Sequence, residues 1–408
     1  MISINTDSGG AKRTRVAVVE DGVLMEIYYG HPTRERIVGN IYKGRVEDVL
    51  PGMGSAFVDV GEKKSLFLSQ GEINDKILTD HGQKPWHGPA PIHKVLKRGD
   101  SVIVQVRREG IGSKNPQGTT KISIPGRFWI FLPTEDRLGV SRRIESVRNQ
   151  RRLRRVAREI RDAGYGLIAR TAAEGASDQE LLRDYELLRD TWVEINRAAK
   201  ASKSTQLLYK GLGLVQTILR DRLLPEMGGV VVDSEFLFEK IRYFLDYMNM
   251  DSYRDRLQLH DGKQPLFQKY NVEKQIKQSL KRRVDLAGGG FLVFDETEAL
   301  VAIDVNTGSD VRHKNQQAAI LNTNLEACGE IARQLRLRQI AGIIIVDFVD
   351  MESPDDERQL VNTIRTALKK DRVPSDFIDI TGLGLVEITR KRKSASLSEM
   401  LENAEFDA

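Results

Sequence analysis

Asp304, Asn306 and Asp347 are the residues whose types and spacing suit chemistry in this 408-residue chain. Asp304 closes the apolar run Leu300-Val301-Ala302-Ile303, and Asp347 closes Ile343-Ile344-Ile345-Val346. Both runs are short, mostly β-branched, and bounded by Gly or acidic residues, so each reads as a buried strand. A carboxylate is costly to bury unpaired. It is tolerated where it emerges from the sheet or binds a cation. A helical run over 322–339 separates the two strands, and a strand–helix–strand crossover can make them parallel. Both acids then lie at the carboxyl-terminal end, where open α/β sheets bind ligands. Asn306 lies two residues past Asp304, on the same side of an extended chain. Two carboxylates and an amide oxygen are hard ligands that suit Mg²⁺ rather than Zn²⁺. Taken singly, each acid is no more than a strand-end turn former. Together they point to a cation site.

A second group suits nucleic acid. Four strands are expected over 39–46, 55–60, 65–69 and 101–107, with Gly-rich turns, as in a small β-barrel. Ala56, Val58 and Val60 share one face of their strand, while Phe57 shares the other with Ser55 and Asp59. Leu66 and Leu68 face one way, and Phe67 faces the other with Ser65 and Ser69. Both phenylalanines therefore lie on polar faces. That is what a base-stacking platform needs, unless a neighbouring domain covers them. Arg108 and Lys114, in the polar stretch 107–120, suit phosphates beside that platform, though lone basic residues in loops are usually just solvated. Arg170-Thr171, ending the expected strand 166–169, sets a guanidinium beside a hydroxyl, a weak phosphate-binding signal on its own.

These residues need elements to position them. Residues 14–19 and 23–29 read as a hairpin that must join a later strand. The strand over 229–233 is its candidate partner, which implies one domain interrupted by two insertions. The stretch 73–97 carries His81, His87 and His93 and reads as a surface loop. Residues 122–132 read as one strand. Ser141 is a candidate cap for a helix running to 163. That helix is dense in arginine, mostly a solvated face, with some residues suited to a polyanion track. Helices are expected over 178–199, 213–223, 234–248, 275–284 and 355–370, and strands over 376–380 and 384–388. Residues 389–393 form a basic exit, and 394–408 read as frayed.

Bulk composition narrows the class. The formal net charge is +5, which permits a polyanionic partner without demanding one. A single cysteine excludes a disulfide framework and a multi-Cys zinc site within the chain. No apolar run has bilayer-spanning length and no signal-peptide pattern opens the chain. A soluble cytoplasmic protein is expected.

Several long strings, in order, carry a family resemblance. They are Gly39-Asn40-Ile41-Tyr42-Lys43-Gly44-Arg45-Val46, Ala56-Phe57-Val58-Asp59-Val60-Gly61 and Gly139-Val140-Ser141-Arg142-Arg143-Ile144. Later come Ala302-Ile303-Asp304-Val305-Asn306-Thr307-Gly308, Asn322-Thr323-Asn324-Leu325-Glu326-Ala327, Ile331-Ala332-Arg333-Gln334-Leu335-Arg336-Leu337-Arg338 and Ile345-Val346-Asp347-Phe348-Val349-Asp350-Met351. On these the chain resembles the ribonuclease E/G family of bacterial endoribonucleases.

The resemblance implies a multidomain α/β chain. A ribonuclease H-like domain (1–37 and 212–283) is interrupted by an S1 (OB-fold) barrel (38–121) and a 5′-sensor region (122–211). A deoxyribonuclease I-like catalytic domain (284–394) and a tail (395–408) follow. It further implies that Asp304 and Asp347 hold a catalytic Mg²⁺, with Asn306 assisting. Phe57, Phe67 and Lys114 would grip single-stranded RNA. Gly126, Ile130, Arg170 and Thr171, supported by Arg142, would read a 5′-monophosphate. The implied activity is hydrolysis of single-stranded, A/U-rich RNA in decay and ribosomal RNA processing, leaving 5′-phosphate and 3′-hydroxyl ends. A homo-oligomer, dimer or tetramer, is implied as well. Three features depart from the family pattern: the zinc-linking Cys pair is absent, Pro374 stands where some members have a basic residue, and Asn115 follows Lys114 in place of glycine. The competing class is a single-stranded RNA-binding protein without catalysis.

Overall fold

The computed structural model describes residues 1–6, 14–30, 36–74, 77, 91–110, 114–223, 227–308, 316–393 and 395–406, with side chains to 401 in the last segment. Two compact units emerge, one of residues 1–32, 228–238 and 256–408 and the other of 33–227 and 239–255.

The first unit holds two sheets. One is five-stranded, in the order Leu257–Leu259, Val230–Val232, Ile2–Thr6, Thr14–Glu20, Val23–Tyr29. The expected hairpin is present, and its turn carries positive φ at Asp21 (49°) and Gly22 (79°), as a tight two-residue hairpin loop requires. The strand at 230–232 does share a sheet with that hairpin, through Ile2–Thr6, which pairs parallel with it and antiparallel with Thr14–Glu20. Ile2–Thr6 escapes notice in the sequence because only two of its five residues are apolar.

The second sheet is six-stranded, in the order Arg283–Asp285, Phe291–Glu296, Leu300–Asn306, Gly342–Asp347, Val386–Arg390, Ser375–Ile380. Only its central pair, Leu300–Asn306 with Gly342–Asp347, runs parallel. The crossover between them contains the helix Gln316–Leu337, six residues longer at its start than the sequence suggested. Its Ala327, Cys328, Ile331 and Leu335 pack on Ile303, Val305, Ile344 and Val346, joined by Leu360, Ile364 and Leu368 of the helix Pro354–Lys369. Arg336 of the crossover helix meets Glu26 of the first sheet at 2.7 Å, both buried. Breaking one partner of such a pair costs roughly 3–5 kcal/mol.

Two expectations for the chain's last stretch are corrected. Arg390, expected in a basic exit that reads mainly as a solvated charge run, is buried. It pairs with Asp371 at 2.7 Å and donates to the Ile340 carbonyl. The stretch expected to fray contains the helix Leu397–Phe406, whose Leu397 is buried against Ala17, Leu24 and Leu337.

The second unit contains a closed five-stranded barrel of Ile41–Leu50, Ser55–Asp59, Leu66–Ser69, Gln117–Thr119 and Ser101–Arg108, whose last strand pairs back on the first. Such a barrel is consistent with an OB or S1 fold. Gln206–Tyr209 extends it along Ile41–Leu50. Gln117–Thr119 corrects the expectation of a continuous polar loop over 107–120. Its Gly118 and Thr119 are buried, and it bridges Leu66–Ser69 to Ser101–Arg108. Nor is 73–97 a plain surface loop. Ile92, Val95 and Leu96 fill the barrel core, and His93 sits in the short turn Ile92–Lys94. His81 and His87 lie outside the described residues.

Beside the barrel is a four-stranded sheet in the order Leu138–Val140, Gly166–Ala169, Trp129–Leu132, Ile124–Pro125. The single strand expected over 122–132 is thus a hairpin, with a turn at 126–128. The arginine-rich helix runs Val147–Ile160, and its cap is Ser146, which accepts the Asn149 amide hydrogen. Ser141 is not the cap, because Leu138–Val140 continues the sheet up to it. The helix Asp178–Ala201 has a capping box at Ser177 and Glu180, and buries Leu181, Tyr185, Leu188, Trp192 and Ile195 as expected. Lys43 of the barrel caps its other end, donating to the Ala199 and Ser202 carbonyls at 2.7 and 2.6 Å.

Candidate active site and nucleic-acid interface

The parallel pairing sets Asp304 directly opposite Asp347. Period-2 alternation decides which way they face. Ile303, Val305, Ile344 and Val346 turn into the helix-covered core, so Asp304 and Asp347 turn to the open face and are exposed. Asn306 lies on the same face and donates its side-chain NH₂ to an Asp304 carboxylate oxygen at 2.8 Å. Its amide thus orients Asp304, where the sequence suggested a third oxygen ligand.

The donor set fits one kind of cation. Among the described residues no group of three or more His, Cys, Asp or Glu converges. The described residues therefore build no closed protein cage here. Two adjacent exposed carboxylates suit a hard ion that keeps several waters and takes further oxygens from a phosphate, as Mg²⁺ does.

Asn324, in the crossover helix, was not singled out as functional from sequence. It is fully buried among apolar neighbours. Its NH₂ donates to the Val349 carbonyl at 2.8 Å, and its oxygen accepts the Val349 amide hydrogen at 3.1 Å. This amide stands in for a strand partner and fixes the chain two residues past Asp347. The signal available was a lone polar residue in the apolar stripe of Ala327, Cys328 and Ile331.

On the barrel, Phe57 and Phe67 pair across adjacent strands, with ring centroids 5.9 Å apart and planes at 66°. Ala56, Val58, Leu66 and Leu68 are buried inside, and both rings are half-exposed on the outer face. Arg108 is exposed at the end of its strand, opposite Gln117. Lys114 is exposed, and the residues after it are pinned beside the rings. Asn115 donates to the Ser65 carbonyl at 2.9 Å, and the Phe67 amide donates to the Pro116 carbonyl at 2.8 Å.

The third group gathers around the hairpin turn. Arg170 donates to the Gly126 carbonyl at 2.6 Å and pairs with Asp221 at 2.5 Å. Arg220 holds the same carboxylate at 2.7 Å. Burial alone would raise the Asp221 carboxyl, but the Arg220 and Arg170 guanidiniums outweigh it and hold it at about 2. Thr171 is exposed, and its hydroxyl lies 3.1 Å from that of Ser141. Arg142 follows Ser141 in an exposed turn before the arginine-rich helix. Ile130 is half-buried in Trp129–Leu132, paired with Ile168 and Pro125.

Asp184, also missed, builds the turn from beneath. Its buried carboxylate accepts the backbone N–H groups of Arg127, Phe128 and Trp129 at 3.0, 2.9 and 3.0 Å. Burial pushes its pKa up, against the pull of those donors. A Cβ on Gly126 would lie 2.6 Å from that carboxylate, so only glycine fits.

Comparison with known proteins completes the assignment. The model of the Ribonuclease E/G family matches residues 123–393. The chain is 40% identical over 392 residues to Ribonuclease G of Escherichia coli, covering 96% of this chain and 80% of that protein. It is 40% identical over 390 residues to Ribonuclease G of Haemophilus influenzae, covering 95% and 79%. To Ribonuclease E of Nostoc sp. it is 37% identical over 387 residues, 94% of this chain and 55% of that protein. With the family model covering well over half its length, and relatives this similar along nearly all of it, the chain belongs to the ribonuclease E/G family.

Proposed function

We propose that this chain hydrolyses single-stranded, A/U-rich RNA at Asp304 and Asp347 with Mg²⁺, and that a 5′-monophosphate on the RNA is read at Arg170 and Thr171. Membership of the family and similarity to Ribonuclease G and Ribonuclease E along nearly the whole chain make it an endoribonuclease of RNA processing. The in-register pairing of Asp304 with Asp347 on an open sheet face is the observation that carries the finer reading.

The chemistry follows from the donors. A divalent metal, when bound by the two carboxylates, supplies charge for the scissile phosphate and a more acidic water. Asn306 holds Asp304 in a fixed rotamer through its hydrogen bond. Phe57 and Phe67 give unpaired bases an aromatic surface, and Arg108 and Lys114 give the adjoining phosphates a positive rim. Gly126, Ile130, Arg170 and Thr171, with Arg142, form the 5′-phosphate pocket. The hydrolysis leaves 5′-phosphate and 3′-hydroxyl ends.

The wider assignment is part of the same proposal. Residues 1–37 and 212–283 are taken as ribonuclease H-like and 284–394 as deoxyribonuclease I-like, with the S1 barrel and sensor region inserted. The enzyme works in the cytoplasm, in RNA decay and ribosomal RNA maturation, as a dimer or tetramer. Among the described residues no helix is long and apolar enough to cross a membrane.

The test is cleavage of a 5′-monophosphorylated, A/U-rich single-stranded RNA in Mg²⁺, beside Asp304→Asn and an EDTA control. Internal cuts are expected from the native chain, slowed by roughly a hundredfold or more in both controls. Binding without cleavage across a range of Mg²⁺ would sink the catalytic assignment and leave an RNA-binding protein. A 5′-hydroxyl RNA cut at the same rate would remove the sensor alone.

A further inference from the structure

The helix Val147–Ile160 carries six arginines and one glutamate, a formal +5 that equals the net charge of the whole chain. Its buried stripe is Leu153, Val156 and Ala157. At 100° per residue, Arg148, Arg151, Arg154 and Arg158 fall outside that stripe, from its flank round to the far side, and all four are exposed. The helix's other two arginines are engaged elsewhere. Arg152 pairs with Asp178 at 2.7 Å, and Arg155 meets Glu159 at 2.9 Å and Asp178 at 3.3 Å. The remaining four have no hydrogen-bond or ion-pair partner among the described residues.

This arrangement works against the helix that bears it. Like charges three and four residues apart repel. The first turn holds no acidic residue, and the last turn is where a cation would be favoured, yet Arg148 sits at the amino-terminal end. Nothing in the packing requires the charge, since the stripe faces away from the core. A polyanion laid along it would remove the repulsion. Arginine also suits phosphate better than any other side chain, because its planar fork gives two parallel hydrogen bonds. The stripe from Arg148 to Arg158 is about 15 Å long, enough to meet several phosphates of one strand. It carries no large apolar side chain that would insert into a bilayer, apart from Val147 at its edge. Its amino-terminal end comes a few residues after Ser141 and Arg142, and the Ser141 hydroxyl meets that of Thr171.

We propose that the exposed face of this helix is a second RNA-binding surface, separate from the barrel, on which Arg148, Arg151, Arg154 and Arg158 hold the phosphate backbone without regard to sequence. It needs only that the chain binds RNA, and it stands whether or not the 5′ end is sensed.

The test uses the full chain with chelator present, so that cleavage plays no part. Dissociation constants for a long unstructured RNA are measured by fluorescence anisotropy across a salt series. Three proteins are compared: the native chain, R148Q/R151Q/R154Q/R158Q, and R148K/R151K/R154K/R158K. Each phosphate contact on single-stranded RNA adds about 0.7 to the slope of log K against log salt. The glutamine variant is therefore expected to bind about tenfold more weakly near physiological salt, with a slope shallower by about 2–3. The lysine variant is expected to keep the native slope. The glutamine variant is also expected to melt no lower than the native chain, since the repulsion is gone. Loss of RNA binding beside an unchanged melting temperature separates a binding face from a structural one. An unchanged salt slope in the glutamine variant overturns the proposal. So does a loss confined to 5′-phosphorylated RNA, which would assign the effect to the pocket. So does lost binding to vesicles of anionic phospholipid with RNA binding intact. Whether the native chain cuts RNA, and whether Asp304→Asn does not, is read apart from these titrations.

Discussion

Asn324 shows how a buried side chain on one element can govern the geometry of exposed groups on another. It replaces the strand partner that Val349 lacks, and so sets where the chain turns after Asp347. Asn324→Ala removes both hydrogen bonds and leaves a buried amide and carbonyl unpaired, at a cost of about 2 kcal/mol. Urea unfolding is expected to report that loss. The positioning role has its own signature: the metal concentration for half-maximal cleavage should rise, while RNA affinity at the barrel stays put. A stability loss with an unshifted metal dependence would reduce Asn324 to a structural residue. At this scale the sequence is readable where period-2 alternation governs. Phe57 and Phe67 face outward, and Asp304 and Asp347 share an open face, as their neighbours imply. It is not readable where a role depends on a distant partner. Nothing local to Arg170 announces that Asp221 occupies its guanidinium, or that Asp184 supports the turn whose carbonyl it binds.

Between elements, the Arg170–Asp221–Arg220 cluster ties the end of Gly166–Ala169 to the helix Leu214–Arg222. Its carboxyl is held at about 2, below the unfolded value near 4, so its contribution is fully present above about pH 4. It is lost as pH falls from about 4 to about 2, and amounts to on the order of 2 kcal/mol. Urea midpoints measured down that range are expected to drop in the native chain. They should drop less in Asp221→Asn, which starts from a lower plateau. Equal slopes in both proteins would mean that other carboxylates dominate the acid limb. Element boundaries were legible where caps and periodicity agree, as for Asp178–Ala201. They failed where short elements abut. Ser141 reads as a cap in the sequence, and only the strand Leu138–Val140, too short to stand out, moves the helix start to Ser146. The apolar run 122–132 hides a turn because the turn is stabilised by Asp184, from another helix. Gln117–Thr119 looks like loop because its strand character comes from its two neighbours in the barrel.

At the scale of the molecule, the described residues form four sheets from strands that mostly meet their neighbours at short range, yet the five-stranded sheet joins residues 2–29 to 230–259. One sulfhydryl sits in the other sheet's core. Cys328 is the chain's only cysteine, wholly buried between the crossover helix and the strands that carry Asp304 and Asp347, and burial pushes its thiol up to about 12. Only a thiolate reacts readily, so the folded chain should be silent to an aromatic disulfide reagent at neutral pH. Any labelling must pass through opening of the layer that carries Asp304 and Asp347. The sheet thus contains its own clock: one reactive atom, one stoichiometry, and a rate governed by how far and how often that layer opens. Labelling is expected to slow further when divalent metal is added, if the two carboxylates bind it, because a ligand held by the closed form suppresses opening. A labelling rate indifferent to metal would place the ion elsewhere.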